Sequence, residues 1–377
     1  MHNLNSENHY SFSCPDSEQK LLLRAALLQG EEAINSWHKW KSSADIETLD
    51  VESYRLLPLL YRNLSAHSVT DLHMARLKGV YRRTWCENQV LLEKIADVIR
   101  SVQNAGIEIM LLKDIALNLH YYQDKGLRMI HNIEFLVHPA DVLKTINLLT
   151  NIGWIAKGKI PNTIARFPHN LRFENKSKQY FYLRWHLFAD AFQEDAEKDF
   201  WDSAILTKLD DFSTYVLNPT EQLLYVCVYG GMSNFVFPVT RLADAAILLN
   251  SYQSEIDWNR LITQAQKYRL ILPLQNILTK LHEILNFPIP SLILQEVQNL
   301  PISKFERSEY QLMSREEKSV TERLTSRYLQ YSRTVNPDNF QLRFLGFPRY
   351  LQYIWGWEHL WEVPLQAMMR GIKRLIG

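Results

Sequence analysis

Two polar side chains set two residues apart carry the first chemical signal in this chain of 377 residues. Asn132 and Glu134 alternate with Ile133, Phe135 and Val137. Alternation with a period of two is the pattern of a strand, and it puts Asn132 and Glu134 on one face. Hard divalent cations such as Mg²⁺ bind oxygen ligands, carboxylates above all. Glu134 supplies a carboxylate, and Asn132 can add a neutral carbonyl oxygen. Upstream, Lys113-Asp114 follows the apolar run 107–112, and Arg128 precedes the strand. Arg128 can hold a phosphate or form a surface ion pair. Asp114 is a residue type that caps a helix N-terminus, where its charge would repel an incoming anion.

The elements that position these residues follow from the same pattern. Residues 107–112 are short and apolar, as a buried strand requires. Ile115, Ala116, Leu119 and Tyr122 then recur at helical spacing, and Asp124-Lys125-Gly126 breaks the helix. The unit is strand, helix, strand. A further helix opens at Pro139-Ala140-Asp141, turns Val142, Leu143, Ile146 and Leu149 inward, and ends at Gly153. Residues 167–173 and 179–188 read as strands around the polar turn Glu174-Asn175-Lys176-Ser177. The second of them places Tyr180, Tyr182, Arg184 and His186 on one face.

This stretch resembles the nucleotidyltransferase superfamily that shares the DNA polymerase beta fold, and more closely a bacterial family of nucleotidyltransferases. The residues that carry the resemblance are Lys113, Ala116-Leu117, Tyr122, Gly126-Leu127-Arg128 and Leu136-Val137. The resemblance implies metal-dependent transfer of a nucleoside monophosphate from a nucleoside triphosphate to a small-molecule, peptide or protein acceptor. Mg²⁺ or Mn²⁺ would be the cofactor, and two such ions would clamp the attacking and leaving oxygens. It also implies a glycine where Asp114 stands, aspartates where Asn132 and Glu134 stand, and a third acid where Tyr182 stands. A histidine of the family pattern is replaced by Arg184. Glu134 and Asn132 are thus the candidate metal ligands, with Asp114 the third candidate catalytic residue. Lys113, Arg128 and Arg184 are the candidate phosphate ligands. The departures favour reduced or lost transfer. The alternative is a catalytically inactive scaffold for a partner enzyme or peptide, in which Glu134 pairs with Lys113, Arg128 or Arg184. His169 and His186 would line the cleft, where a lone histidine is more often a satisfied structural residue than a ligand.

Around this core the chain reads as helical. Residues 1–16 form a tail, 17–105 a helical region, 106–200 the core, 201–300 a second helical region and 301–377 a helical, tryptophan-rich segment. The expected class is α+β, a small mixed sheet flanked by helices. Pro58 stands near the start of one N-terminal helix, and residues 74–102 form one long helix or two. Helices enter at Asn218-Pro219-Thr220-Glu221 and at Ile256-Asp257-Trp258. Tyr229-Gly230-Gly231 is too short for a phosphate loop. Hydrophobic residues make up 46% and charged residues 22%, with a net charge of +1, so there is no global pull toward nucleic acid or an anionic membrane. Three separated cysteines form neither metal spacing nor a disulfide framework, and no signal core is visible, which points to the cytoplasm. Residues 355–376 combine tryptophans with an amphipathic stripe. They would close the protein's own core or dock on a membrane surface or a partner.

Overall fold

A computed structural model of the chain describes residues 15–158, 170–188, 197–209, 212–228, 239–315, 318–335, 345–355, 357 and 359–362. Five helices come first: α1 (Ser17–Leu27), α2 (Gly30–Ser43), α3 (Val51–Tyr54), α4 (Leu57–Ala66) and α5 (Met74–Asn104). Pro58 sits in the first turn of α4, where its missing N–H costs no helical bond. The segment that one or two helices could have filled is a single helix of 31 residues. Its second half buries Leu92, Ile95, Val98, Ile99 and Val102 against the sheet.

The core unit follows as β1 (Met110–Leu112), α6 (Lys113–Ala116) and β2 (Glu134–Leu136), then α7 (Val142–Asn151), β3 (Ile155–Lys157), β4 (Asn170–Glu174) and β5 (Tyr180–Arg184). After α6 the helix widens into a π-helix over Leu117–Tyr122, a form often found at functional sites. It ends at Gln123, whose φ is 56°. Gly153, with a φ of 94°, ends α7 in the left-handed conformation expected of it.

The sheet is larger than the sequence pattern suggests. Residues from 202 onward read as helix, but after the short helix α8 (Lys198–Asp202) the chain forms β6 (Ile205–Leu209) and β7 (Phe212–Val216). These two strands pair with each other antiparallel, and β7 joins β1 in parallel. The seven strands lie in the order β3-β4-β5-β2-β1-β7-β6. β2 pairs antiparallel with β1 and parallel with β5, so the sheet is mixed and the fold is α+β. The physical reason for the missed hairpin is its composition. Thr207, Lys208, Ser213 and Thr214 interrupt the apolar residues, so neither strand shows a continuous apolar run.

Seven more helices follow: α9 (Pro219–Cys227), α10 (Val239–Tyr252), α11 (Trp258–Lys267), α12 (Ile271–Leu285), α13 (Ser291–Asn299), α14 (Lys304–Met313) and α15 (Val320–Arg333). Then comes α16 (Phe347–Trp355). Asn218 and Asp257 cap α9 and α11 through Glu221 N–H and Arg260 N–H, as the entry motifs predict.

The two faces of the sheet bury different cores. Leu111, Phe135, Phe181, Leu183 and Trp185 turn toward α5 and α7. Met110, Leu112 and Leu136 turn toward the helical core built by α1, α4 and α9–α12. The period of two therefore sends Glu134, Tyr182 and Arg184 to the second face, under the later helices. No helix among the described residues is long and apolar enough to cross a membrane. Trp355 and Trp357 pack near each other, with ring centroids 4.6 Å apart, and Trp361 is exposed. The apolar stripe from Leu365 to Ile376 lies outside the described residues, as do Tyr229-Gly230-Gly231 and His169.

Candidate functional site

Glu134 opens β2 and faces Leu112 of β1 on one side and Tyr182 of β5 on the other. The strand register thus puts Tyr182 where the resemblance expects the third acid. Glu134 is buried, and both of its carboxylate oxygens have cationic partners. Lys113 Nζ donates to Oε1 at 2.5 Å, and Arg184 donates to Oε2 at 2.6 Å. Burial raises the Glu134 carboxyl, but Arg184 and Lys113 outweigh it and hold the group below the usual carboxylate range. For the Lys113 ammonium the balance reverses: burial, with Arg184 adding to it, outweighs the attraction of Glu134 and lowers the pKa. Two cations on one carboxylate explain the direction at Glu134, and burial is the main cause at Lys113.

Lys113 reaches this position through its backbone. Its φ of 53° lies in the left-handed region, which lysine rarely adopts. The residue of unusual conformation at this turn is therefore Lys113.

Asp114 does not cap its helix; α6 has no side-chain cap. Its carboxylate reaches across to the loop before β2. It accepts from His131 N–H at 3.0 Å, more weakly from Asn132 N–H at 3.4 Å, and from Arg128 at 3.1 Å. The reason is burial: Asp114 is 4% exposed, and a buried carboxylate needs a cation and donors that its own first turn does not offer. Asn132 stands just before β2, half-buried, and its side-chain oxygen accepts from Tyr180 at 3.4 Å.

Arg128 joins Asp114 to a residue that the sequence pattern did not single out. Its guanidinium donates to Asp244 of α10 at 2.8 and 3.1 Å, and Tyr122 donates to the same carboxylate at 2.7 Å. Burial pushes the Asp244 carboxyl up against the pull of Arg128, and burial together with Asp244 pushes the Tyr122 hydroxyl well up. Arg128 is thus a buried cross-link rather than a surface ion pair. The available signal was a lone aspartate inside the apolar run Leu242 to Leu249, a position that demands a partner.

The Gly126-Leu127-Arg128 loop is held from beneath. Asn88 donates to the carbonyls of Lys125 and Arg128 at 2.6 and 2.8 Å, and Asn118 donates to Arg128 at 2.7 Å. Tyr81 donates to Asp124 and packs against Gly126, where an added Cβ would come within 2.4 Å of the ring. Close approach is what requires glycine there.

Tyr225 of α9 lies over this charged layer. Burial pushes its hydroxyl well above the usual tyrosine range, with Arg184 opposing and Glu134 and Asp114 adding to the shift. His186 pairs instead with Glu197 at 3.0 Å. The structure thus brings the six candidate residues into two adjoining networks, Glu134–Lys113–Arg184 and Asp114–Arg128–Asp244, with Asn132 beside the second.

The strand–helix–strand core that the resemblance implies is present, with its charged layer at the strand ends. A family model described as an uncharacterised nucleotidyltransferase matches residues 51–286, more than half of the chain, and the chain belongs to that family. No curated protein matches it.

Proposed function

We propose that this chain is a nucleotidyltransferase-family protein that has lost metal-dependent nucleotidyl transfer and uses its core to bind a partner protein or peptide. The observation that supports this reading is the pairing of Glu134 with Lys113 and Arg184. A divalent cation at these oxygens would meet two positive groups. At an effective dielectric of about 20, a +2 ion about 4 Å from one unit cation is repelled by roughly 8 kcal/mol. At about 2 Å one carboxylate attracts the ion by roughly 16 kcal/mol, which two such repulsions cancel, so nothing is left to offset the ion's dehydration. Asn132 adds no charge, and the Asp114 carboxylate is committed to Arg128 and two backbone N–H groups. The donor set does not fit a Mg²⁺ or Mn²⁺ centre.

The competing reading is transfer with Glu134 as metal ligand and Lys113, Arg128 and Arg184 on the triphosphate. Calorimetric titration of the pure protein with each nucleoside triphosphate, with and without Mg²⁺ or Mn²⁺, separates the two, together with an assay of pyrophosphate release. The expected result is neither metal-dependent binding nor release. Metal-dependent pyrophosphate release that disappears in Glu134→Ala would overturn the proposal.

A further inference from the structure

A pocket of about 210 Å³ lies where α1, α4, α10 and α12 meet. Leu28, Ile247 and Phe287 form half-buried apolar walls, and Pro288 stands at the rim. Two polar side chains on the lining, Arg62 and Asn250, are exposed and have no hydrogen-bond or ion-pair partner among the described residues. Asn63 is part of the wall but already spends its amide N–H groups on the carbonyls of Ala25 and Leu28 at 2.8 and 2.7 Å. Gln29, exposed on the same lining, donates to Asn63 Oδ1 at 3.4 Å, so the pocket offers one cation, the amides of Asn250 and Gln29 and an apolar body of small size.

We propose that this pocket binds a small organic acid, its carboxylate on Arg62 and Asn250 and its short apolar body against Leu28, Ile247 and Phe287. Each property of the ligand follows from the lining. A guanidinium matches a carboxylate with two parallel N–H donors. A single cation selects a single negative charge. Drug-sized ligands fill pockets of roughly 300–1,000 Å³. The smaller volume here matches an acid of a few carbons better than a nucleoside triphosphate. Because Arg62 is exposed, water screens the ion pair, and affinity depends on the apolar walls as much as on charge. The site is separate from the Glu134 network and stands or falls independently of it.

The test uses the full chain with hexanoate and its uncharged counterpart hexanamide, titrated by ligand-observed NMR. Hexanoate is expected to bind with a dissociation constant between about 0.1 and 10 mM, and hexanamide roughly tenfold more weakly. Arg62→Gln, at an exposed position, keeps the wild-type melting temperature and brings hexanoate down to the level of hexanamide. Asn250→Trp, also exposed, fills the mouth and weakens both. Equal binding of acid and amide, unchanged hexanoate binding in Arg62→Gln, or no hexanoate binding at about 10 mM would overturn the proposal.

Discussion

Replacing Glu134 by glutamine tests the reasoning about the charged layer at its centre. The side chain keeps its shape but loses the charge that holds Lys113 and Arg184. Arg184 is 6% exposed, so its guanidinium cannot turn to water without opening the sheet face. Removing one partner of a buried ion pair typically costs about 3–5 kcal/mol, because the remaining charge is left uncompensated. With a urea slope of about 3 kcal/mol/M, that is a fall of about 1 M or more in the unfolding midpoint. The pH dependence follows from the depressed Glu134 carboxyl. Its contribution is complete above the unfolded glutamate value of about 4.3 and is lost as pH falls through the lower folded value. The gap between wild type and variant should therefore be full at pH 7 and narrow below about pH 4.3. Urea unfolding followed by circular dichroism measures both. A triple variant, Glu134→Leu with Lys113→Met and Arg184→Met, should recover most of the loss, because apolar groups of similar volume replace the whole network. A change under about 0.5 kcal/mol in Glu134→Gln at pH 7 would refute the argument, since it would mean a carboxylate already solvated and open to a metal.

Two further outcomes are expected. Gly126→Ala places a Cβ against the Tyr81 ring and should cost about 1–3 kcal/mol, with Tyr81→Leu in the same chain restoring part of it; equal melting temperatures for Gly126→Ala and wild type would contradict the close-approach account. Glu306 accepts from Ile271 and Leu272 N–H at the start of α12, at 2.8 and 3.2 Å, and burial raises its pKa. A raised acid is more stabilising when protonated, so the advantage of wild type over Glu306→Gln should grow as pH is lowered from 7 toward about 4.5 and level off below it. Chemical unfolding at stepped pH checks this, and a difference that shrinks over that range would reverse the assignment.

Much of the fold was legible because it rests on local rules. Alternation fixed β2 and β5 and the face that carries Glu134, Tyr182 and Arg184, and cap residues fixed the entries of α9 and α11. The β6–β7 hairpin was not legible, because its strands draw their support from pairing with each other and with β1 rather than from an apolar run of their own. The same limit applies to Gly126. Its use as a helix breaker could be read locally, but the Tyr81 ring that excludes a side chain comes from a helix more than forty residues earlier.

The candidate site divides along the same line. The residue types at Lys113, Asp114, Arg128, Glu134 and Arg184 can be read, but the chemistry of each depends on which counter-charge reaches it. Asp114 in sequence is a helix cap; in the fold it is the partner of Arg128 and of the His131 backbone. Arg128 in sequence is a phosphate ligand or a surface ion pair; in the fold it is fixed on Asp244, 116 residues away. A carboxylate with water or backbone around it is a metal ligand, and the same carboxylate between two buried cations is a structural anion. Pairing of this kind couples positions far apart in the chain, so substitutions at Lys113, Glu134 and Arg184 are expected to be non-additive. That coupling, rather than the presence of a single acid at position 134, is the quantity that separates the two functional readings.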